Sequence, residues 1–194
     1  AIGNEETWIA DRMALRCNPG GAVERRRQDG KWLLVRDQRL PDGGVISFGL
    51  DITERKRAEQ LAKVEHTVTR CLGEAATARA GLEAVMRVIC EAEGWDLAEY
   101  WACDESADAM GRIASWVSPQ WPAASAFVER SRETVFRRGE GLPGSVWQSA
   151  EPLWVEDLQS EPRMLRKELA REAGMRGALL APVLASGQVV GVLM

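Results

Sequence analysis

The stretch Gly139-Glu140-Gly141-Leu142-Pro143-Gly144-Ser145-Val146-Trp147 decides how this chain is read. Its spacing, Gly139-x-Gly141-x-x-Gly144, has the letters of a dinucleotide-phosphate cradle. That chemistry needs a strand before the glycines and a helix after them, so that a pyrophosphate meets the helix N-terminus. Here the preceding residues, 123–138, read as helix. The glycines and Pro143 are therefore expected to form a loop over a sheet, leading into residues 145–149, and the nucleotide reading is set aside.

Working outward, residues 153–156 form a short strand. Ser160, Glu161 and Pro162 open a helix that ends at Gly174. Residues 178–185 and 188–194 then make a hairpin around Ser186-Gly187. Upstream, Thr77 caps a helix running to Glu93, with Leu82, Val85, Met86, Ile89 and Cys90 on a broad apolar face suited to core packing. Residues 97–103 and 111–118 read as two strands joined by a polar loop. Helices intermixed with antiparallel hairpins predict an α+β fold, a sheet with helices on its faces.

The N-terminal third has another character. Residues 4–16 suggest a short helix with Asn4 as cap and Trp8, Ile9 and Met13 on one face, stopped by Asn18-Pro19-Gly20-Gly21. Three strand-like runs follow at 23–27, 31–40 and 44–50, parted by the turn signals Asp29-Gly30 and Pro41-Asp42-Gly43-Gly44. Such a meander with one short helix cannot bury both of its faces and needs more protein. At Asp51-Ile52-Thr53-Glu54 the pattern turns helical, with the look of a capping box in which Glu54 reaches back. Beyond it Leu61, Val64, Val68 and Cys71 recur at spacings of three, four and three. Charge surrounds this narrow seam, as expected of a helix that pairs with another helix in a coiled coil.

Composition narrows the function classes. The 194 residues are 45% hydrophobic and 28% charged, ordinary for a globular protein. A net charge of −4 offers no general attraction to nucleic acid or an anionic bilayer. No apolar run reaches the roughly 20 residues of a membrane span. A cytoplasmic segment of a longer polypeptide is expected, since the chain starts at Ala1 and closes on an apparent half-strand. Cys17, Cys71, Cys90, Cys103 and the single His66 are too scattered for a zinc site or a disulfide framework.

Two resemblances follow from these motifs. Residues 24–33, the turn at Pro41–Gly44 and Asp51-Ile52-Thr53-Glu54-Arg55-Lys56 resemble the C-terminal half of a PAS domain and its exit. The second resemblance is to a GAF domain. It rests on Gly94-Trp95-Asp96-Leu97-Ala98-Glu99-Tyr100-Trp101, the glycine-rich stretch through Trp147, Pro152-Leu153-Trp154-Val155-Glu156-Asp157 and the closing hairpin. The resemblance implies a GAF-like antiparallel sheet with flanking helices, preceded by a PAS-derived β-meander and a long connecting helix. The expected division is 1–52 for the PAS part, 53–76 for the signalling helix and 77–194 for a GAF domain lacking its last helix.

The same resemblance implies a sensory, non-catalytic input region of a bacterial signal-transduction protein. A sensor histidine kinase of a two-component system is the expected parent, with a cyclic-di-GMP enzyme or a ligand-free dimerisation scaffold as alternatives. Homodimerisation through Leu61, Val64, Val68 and Cys71 is expected, with Asp51 and Thr53 as the signal exit motif and an output domain on the same polypeptide. Tyr100, Trp101, Trp116, Phe127, Trp147 and Trp154 are the candidate walls of a small-molecule pocket whose ligand is unknown. Strand alternation lets only one of Tyr100 and Trp101 face it. Arg112, Arg137 and Arg138 are candidate anion partners. No catalytic or metal-binding residues and no cofactor are assigned: His66 lacks the neighbours of a phospho-acceptor, no histidine in the GAF segment can ligate haem, and Cys90 and Cys103 are poorly placed for sulfoxide chemistry.

Overall fold

A computed structural model describes residues 21–194, in two units that divide between Lys63 and Val64. The expected helix at residues 4–16 lies outside the described residues.

In the first unit β1 (Val23–Arg26), β2 (Trp32–Arg39) and β3 (Val45–Asp51) form an antiparallel meander in sequence order. The Asp29 and Asp42 carboxylates accept from the amides two residues ahead, Lys31 at 3.2 Å and Gly44 at 2.9 Å, which tightens both turns. The sheet carries apolar side chains with little cover: Phe48 and Leu50 are 55% and 63% exposed. Helix α1 (Thr53–Glu74) follows directly. Its start differs from a capping box. Asp51 Oδ1 accepts from the Thr53 amide at 2.9 Å and the Thr53 hydroxyl at 2.6 Å, and Thr53 Oγ1 accepts from the Trp32 amide at 2.9 Å. Thr53 thus does the tying expected of Glu54, because it sits within reach of both the last strand and β2.

The second unit takes the last turns of α1, from Val64, and then α2 (Ala78–Glu93). Thr77 Oγ1 accepts from the Ala80 amide, and Gly94 closes the helix in the left-handed conformation at φ 73°. A six-stranded antiparallel sheet follows in the order β6-β5-β4-β9-β8-β7. Its strands are β4 (Leu97–Asp104), β5 (Ala109–Val117), β6 (Val135–Phe136), β7 (Leu153–Val155), β8 (Ala178–Ala185) and β9 (Gln188–Leu193). Helices α3 (Pro122–Arg130), α4 (Gly141–Ser149) and α5 (Lys167–Ala173) lie between strands in the chain. The β8–β9 hairpin turns on Ser186 (φ 51°) and Gly187 (φ 79°), a pair of left-handed residues whose twist suits adjoining strands.

Each face of this sheet has its own core. Met86 and Cys90 of α2 pack on Ala98, Tyr100 and Ala114 on one face. On the other, Trp101, Met110, Phe127, Phe136, Leu142 and Trp147 belong to one buried cluster.

Three expectations are corrected. The helix expected at 123–138 ends at Arg130, and Val135–Phe136 is a strand paired with β5. The end is made by side chains: the Ser131 hydroxyl donates to the Phe127 carbonyl at 2.6 Å and Arg112 Nη2 to the Val128 carbonyl at 2.6 Å. The helix expected from Ser160 begins at Lys167. Glu161 is engaged by Arg163 instead, whose side-chain and backbone bonds drop the Glu161 pKa to about 2. The glycine-rich stretch, expected as a loop, proves to hold the first turn of α4, which starts at Gly141. Gly141 holds φ at 63°, and at Gly144 a Cβ would run into the Arg137 carbonyl oxygen. The glycines serve a close backbone crossing, as the Gly139 amide donates to the Gly144 carbonyl at 2.8 Å.

Candidate functional site

Six aromatic side chains form the expected pocket walls, and the sheet divides them. Trp101, Phe127 and Trp147 are buried together on the face carrying α3 and α4. Tyr100 and Trp116 face α2 on the other side. Trp154 belongs to neither; it is 63% exposed. Tyr100 and Trp101 do point to opposite faces, as alternation requires. The three that meet are packed as core: Trp101 and Phe136 stack edge to face with centroids 4.8 Å apart. Beside them, between Phe136, Leu142, Met164 and Arg166, lies a void of only about 10 Å³.

A buried ionic cluster completes that core. Glu99, with a side chain 1% exposed, accepts from two guanidinium groups. Arg112 Nη1 donates to Glu99 Oε1 at 2.6 Å, and Arg166 grips both carboxylate oxygens at 3.2 and 2.8 Å. Ser131 Oγ accepts from both arginines at 3.2 and 3.1 Å. Two cations share one anion, so the cluster carries one surplus positive charge. The aromatic faces offset it: the Arg166 guanidinium carbon sits 4.5 Å from the Phe127 centroid and 5.0 Å from that of Trp101. Sequence reasoning missed Glu99 and Arg166, and placed Arg112 among candidate anion partners without finding that its anion is internal. Arg137 and Arg138 are exposed, with Arg138 paired to Glu105 at 2.7 Å and lying over the Trp147 ring.

A second feature is an open cleft of about 890 Å³ at one end of the sheet. Trp95, Trp121 and Trp154 line it together with Leu97, Ala178 and Met194. Of the six expected wall residues, Trp154 is the one that reaches it.

Cys90 and Cys103 lie against different cores, Cys90 on the sheet-facing side of α2 and Cys103 beside the Trp101 cluster. Burial pushes both thiols up to about 11, so both are protonated near neutrality. Among the described residues no group of three or more His, Cys, Asp or Glu side chains is placed to hold a metal ion. No described helix is long and apolar enough to cross a membrane.

On α1 the seam is open. The helix contains no buried residue, Leu61 is 60% exposed, and Val64, Val68 and Cys71 are half-buried. His66 is exposed on the same helix. At the helix start Glu24 takes Lys56 Nζ at 2.5 Å and Arg55 Nη2 at 2.8 Å, and Lys56 lies over the Trp32 ring.

Comparisons with known proteins agree with this architecture. Residues 73–194 match the family model of the GAF domain, and residues 1–60 match that of the PAS fold. No curated protein matches the chain. Among solved structures, the chain is similar to the nlh2 GAF domain of A. aeolicus in an inactive state, at 18% identity and a TM-score of 0.56, covering 71% of this chain and 78% of that one. It is similar to the GAF domain of a phosphoenolpyruvate-protein phosphotransferase from Coxiella burnetii, at 22% identity and 0.56, covering 70% and 76%. A free methionine-R-sulfoxide reductase from Neisseria meningitidis shares the fold at 19% identity and 0.50, covering 68% and 71%. At these identities the likeness is one of fold.

Proposed function

The chain belongs to the GAF domain family through residues 73–194, and on that premise we propose that it is the sensory input region of a bacterial signalling protein, passing its signal on through α1 paired with α1 of a second copy. GAF domains are sensory and regulatory input domains. The observation that carries the finer reading is the seam of α1. A stripe of Leu61, Val64, Val68 and Cys71 that buries nothing fully on its own chain is a surface in want of a partner helix. Burying it between two copies makes the rotation or register of the pair the quantity a bound or mechanical signal can bias. The PAS match ahead of the GAF match favours a sensor histidine kinase as parent, with a cyclic-di-GMP enzyme as the other candidate.

A non-catalytic role is supported by the cysteines. Cys90 and Cys103, on opposite faces of the sheet and protonated at pH 7, are unsuited to act as a redox couple on a sulfoxide. The test of the relay is sedimentation of Leu61→Asp plus Val68→Asp. Loss of the dimer supports the reading, and an unchanged dimer overturns it.

The filled aromatic core favours a second reading, a ligand-free GAF scaffold whose purpose is dimerisation. Native mass spectrometry separates the two: a co-purifying small molecule counts against the scaffold, and the bare chain mass supports it.

A further inference from the structure

Glu99 is the anion of two guanidinium groups, and all three are shut away from water. The side chains of Glu99, Arg112 and Arg166 are 1%, 7% and 5% exposed. Among the described residues no other carboxylate forms an ion pair with either arginine. The remaining partners are neutral: Ser131 Oγ for both, the Val128 carbonyl for Arg112, and Met194 Sδ for Arg166 at 3.6 Å. Ser131 donates its own proton to the Phe127 carbonyl, so it supplies no negative charge. The rings of Trp101, Phe127 and Phe136 around Arg166 ease the surplus but leave the net charge as it is. A buried charge of one sign is stabilised most by a counter-charge close by.

The void beside Arg166 has the size and lining for one. Its volume is about 10 Å³, room for one water-sized sphere. Arg166 is the lining residue with a polar side chain; the others, Phe136 and Leu142 among them, are apolar. A buried water needs partners for its hydrogens as well as for its lone pairs. Arg166 only donates. A donor-only wall in an apolar hollow suits a species that only accepts, carries one negative charge and is weakly hydrated. A monatomic halide has those properties. Phosphate is too large for this volume and brings more charge than the cluster lacks. Leu165 lines the same void and is 59% exposed, so it separates the void from solvent and gives an ion its way in.

We propose that this void is a halide site, taken by chloride, in which the ion neutralises the surplus charge of the Glu99–Arg112–Arg166 cluster. Arg166 is the direct partner. The bonds of its Nη atoms to Glu99 and Ser131 leave Nε–H, and the weak contact with Met194 Sδ, for the ion. Arg112 does not line the void and acts through Glu99, which it shares with Arg166. Chloride then stabilises the fold as a bound ligand and not by general screening.

The test follows melting of the 194-residue chain as chloride replaces gluconate at constant ionic strength, with chloride NMR line width as the direct measure of binding. Constant ionic strength removes screening, and gluconate is far too large for the void. A saturable rise in Tm is expected, roughly 3–6 °C once chloride exceeds its Kd tenfold, with line broadening that bromide reverses. Arg112→Met, which keeps the matched Glu99–Arg166 pair and leaves the void untouched, should lose both responses. Equal melting in the two salts, or an Arg112→Met chain that keeps the native response, overturns the proposal. Should Arg112→Met fail to fold, crystals of the native chain grown in bromide decide. An anomalous peak against Arg166 and Phe136 supports the site, and its absence overturns it.

Discussion

Arg112 Nη1 lies 2.6 Å from Glu99 Oε1, although regular alternation on β5 would put these two side chains on opposite faces of the sheet. Tyr100 is opposite Ala114 and Trp101 is opposite Arg112, so Ile113 is an extra residue in β5 and stands 43% exposed. The bulge turns every residue on its Arg112 side through one pleat. Arg112 thereby shares a face with Trp101 and Glu99, while Ala114 and Trp116 keep to the α2 face.

This arrangement orders the costs of its members. Glu99→Gln leaves two buried guanidinium groups without an anion, and a loss of about 3–5 kcal/mol is expected from urea unfolding. Arg112→Met leaves a matched Glu99–Arg166 pair and strips one bond from the Val128 carbonyl, for a smaller loss of about 1–3 kcal/mol. The reverse order would refute the surplus-charge account.

At Gly144 a methyl group would meet the Arg137 carbonyl oxygen, an obstacle of backbone that cannot swing aside. Gly144→Ala is expected to cost about 3 kcal/mol or more. Gly141→Ala, strained at φ 63° and pressed against Phe136, should cost about 1–2 kcal/mol. Thermal unfolding of both variants checks the ranking.

The buried thiols should be chemically quiet. With Cys90 and Cys103 pushed up to about 11, on the order of one thiol in 10,000 is ionised at pH 7. Iodoacetamide labelling followed by peptide mass spectrometry should modify half-buried Cys71 well before either of them. Equal labelling of all three would mean that the cores open readily.

The exit of β3 has a defined pH dependence. The Asp51 carboxylate is held below its ordinary 3.8, first by the Thr53 hydroxyl and then by the Thr53 amide. Its contribution to the start of α1 is therefore complete above pH 3.8 and is lost as pH falls through the lower folded value. The Thr53 amide chemical shift should titrate below 3.8 in the native chain and stay flat through that range in Asp51→Asn.

Elements closed by their own neighbours were legible in the residues. Thr77 and Gly94 bracket α2 with bonds that span a few positions, and Ser186-Gly187 turns β8 into β9 by backbone conformation alone. The candidate pocket was legible only as a set of aromatics. Their types predict large buried surfaces, but which of them meet depends on sheet order and on one bulge. Trp154 shows the difference: its strand position was readable, while its 63% exposure follows from β7 lying at the sheet edge.

The sequence by itself determined the α+β class, the capped helix α2, the closing hairpin and the apolar seam of α1, because each rests on interactions within a few residues or on one periodicity. Tertiary structure alone decided where α3 and α5 stop and start, and that Glu99, Arg112 and Arg166 meet. Those outcomes depend on hydrogen bonds between residues up to 67 positions apart. A buried guanidinium must find its partners wherever the fold supplies them, and no local pattern records that requirement.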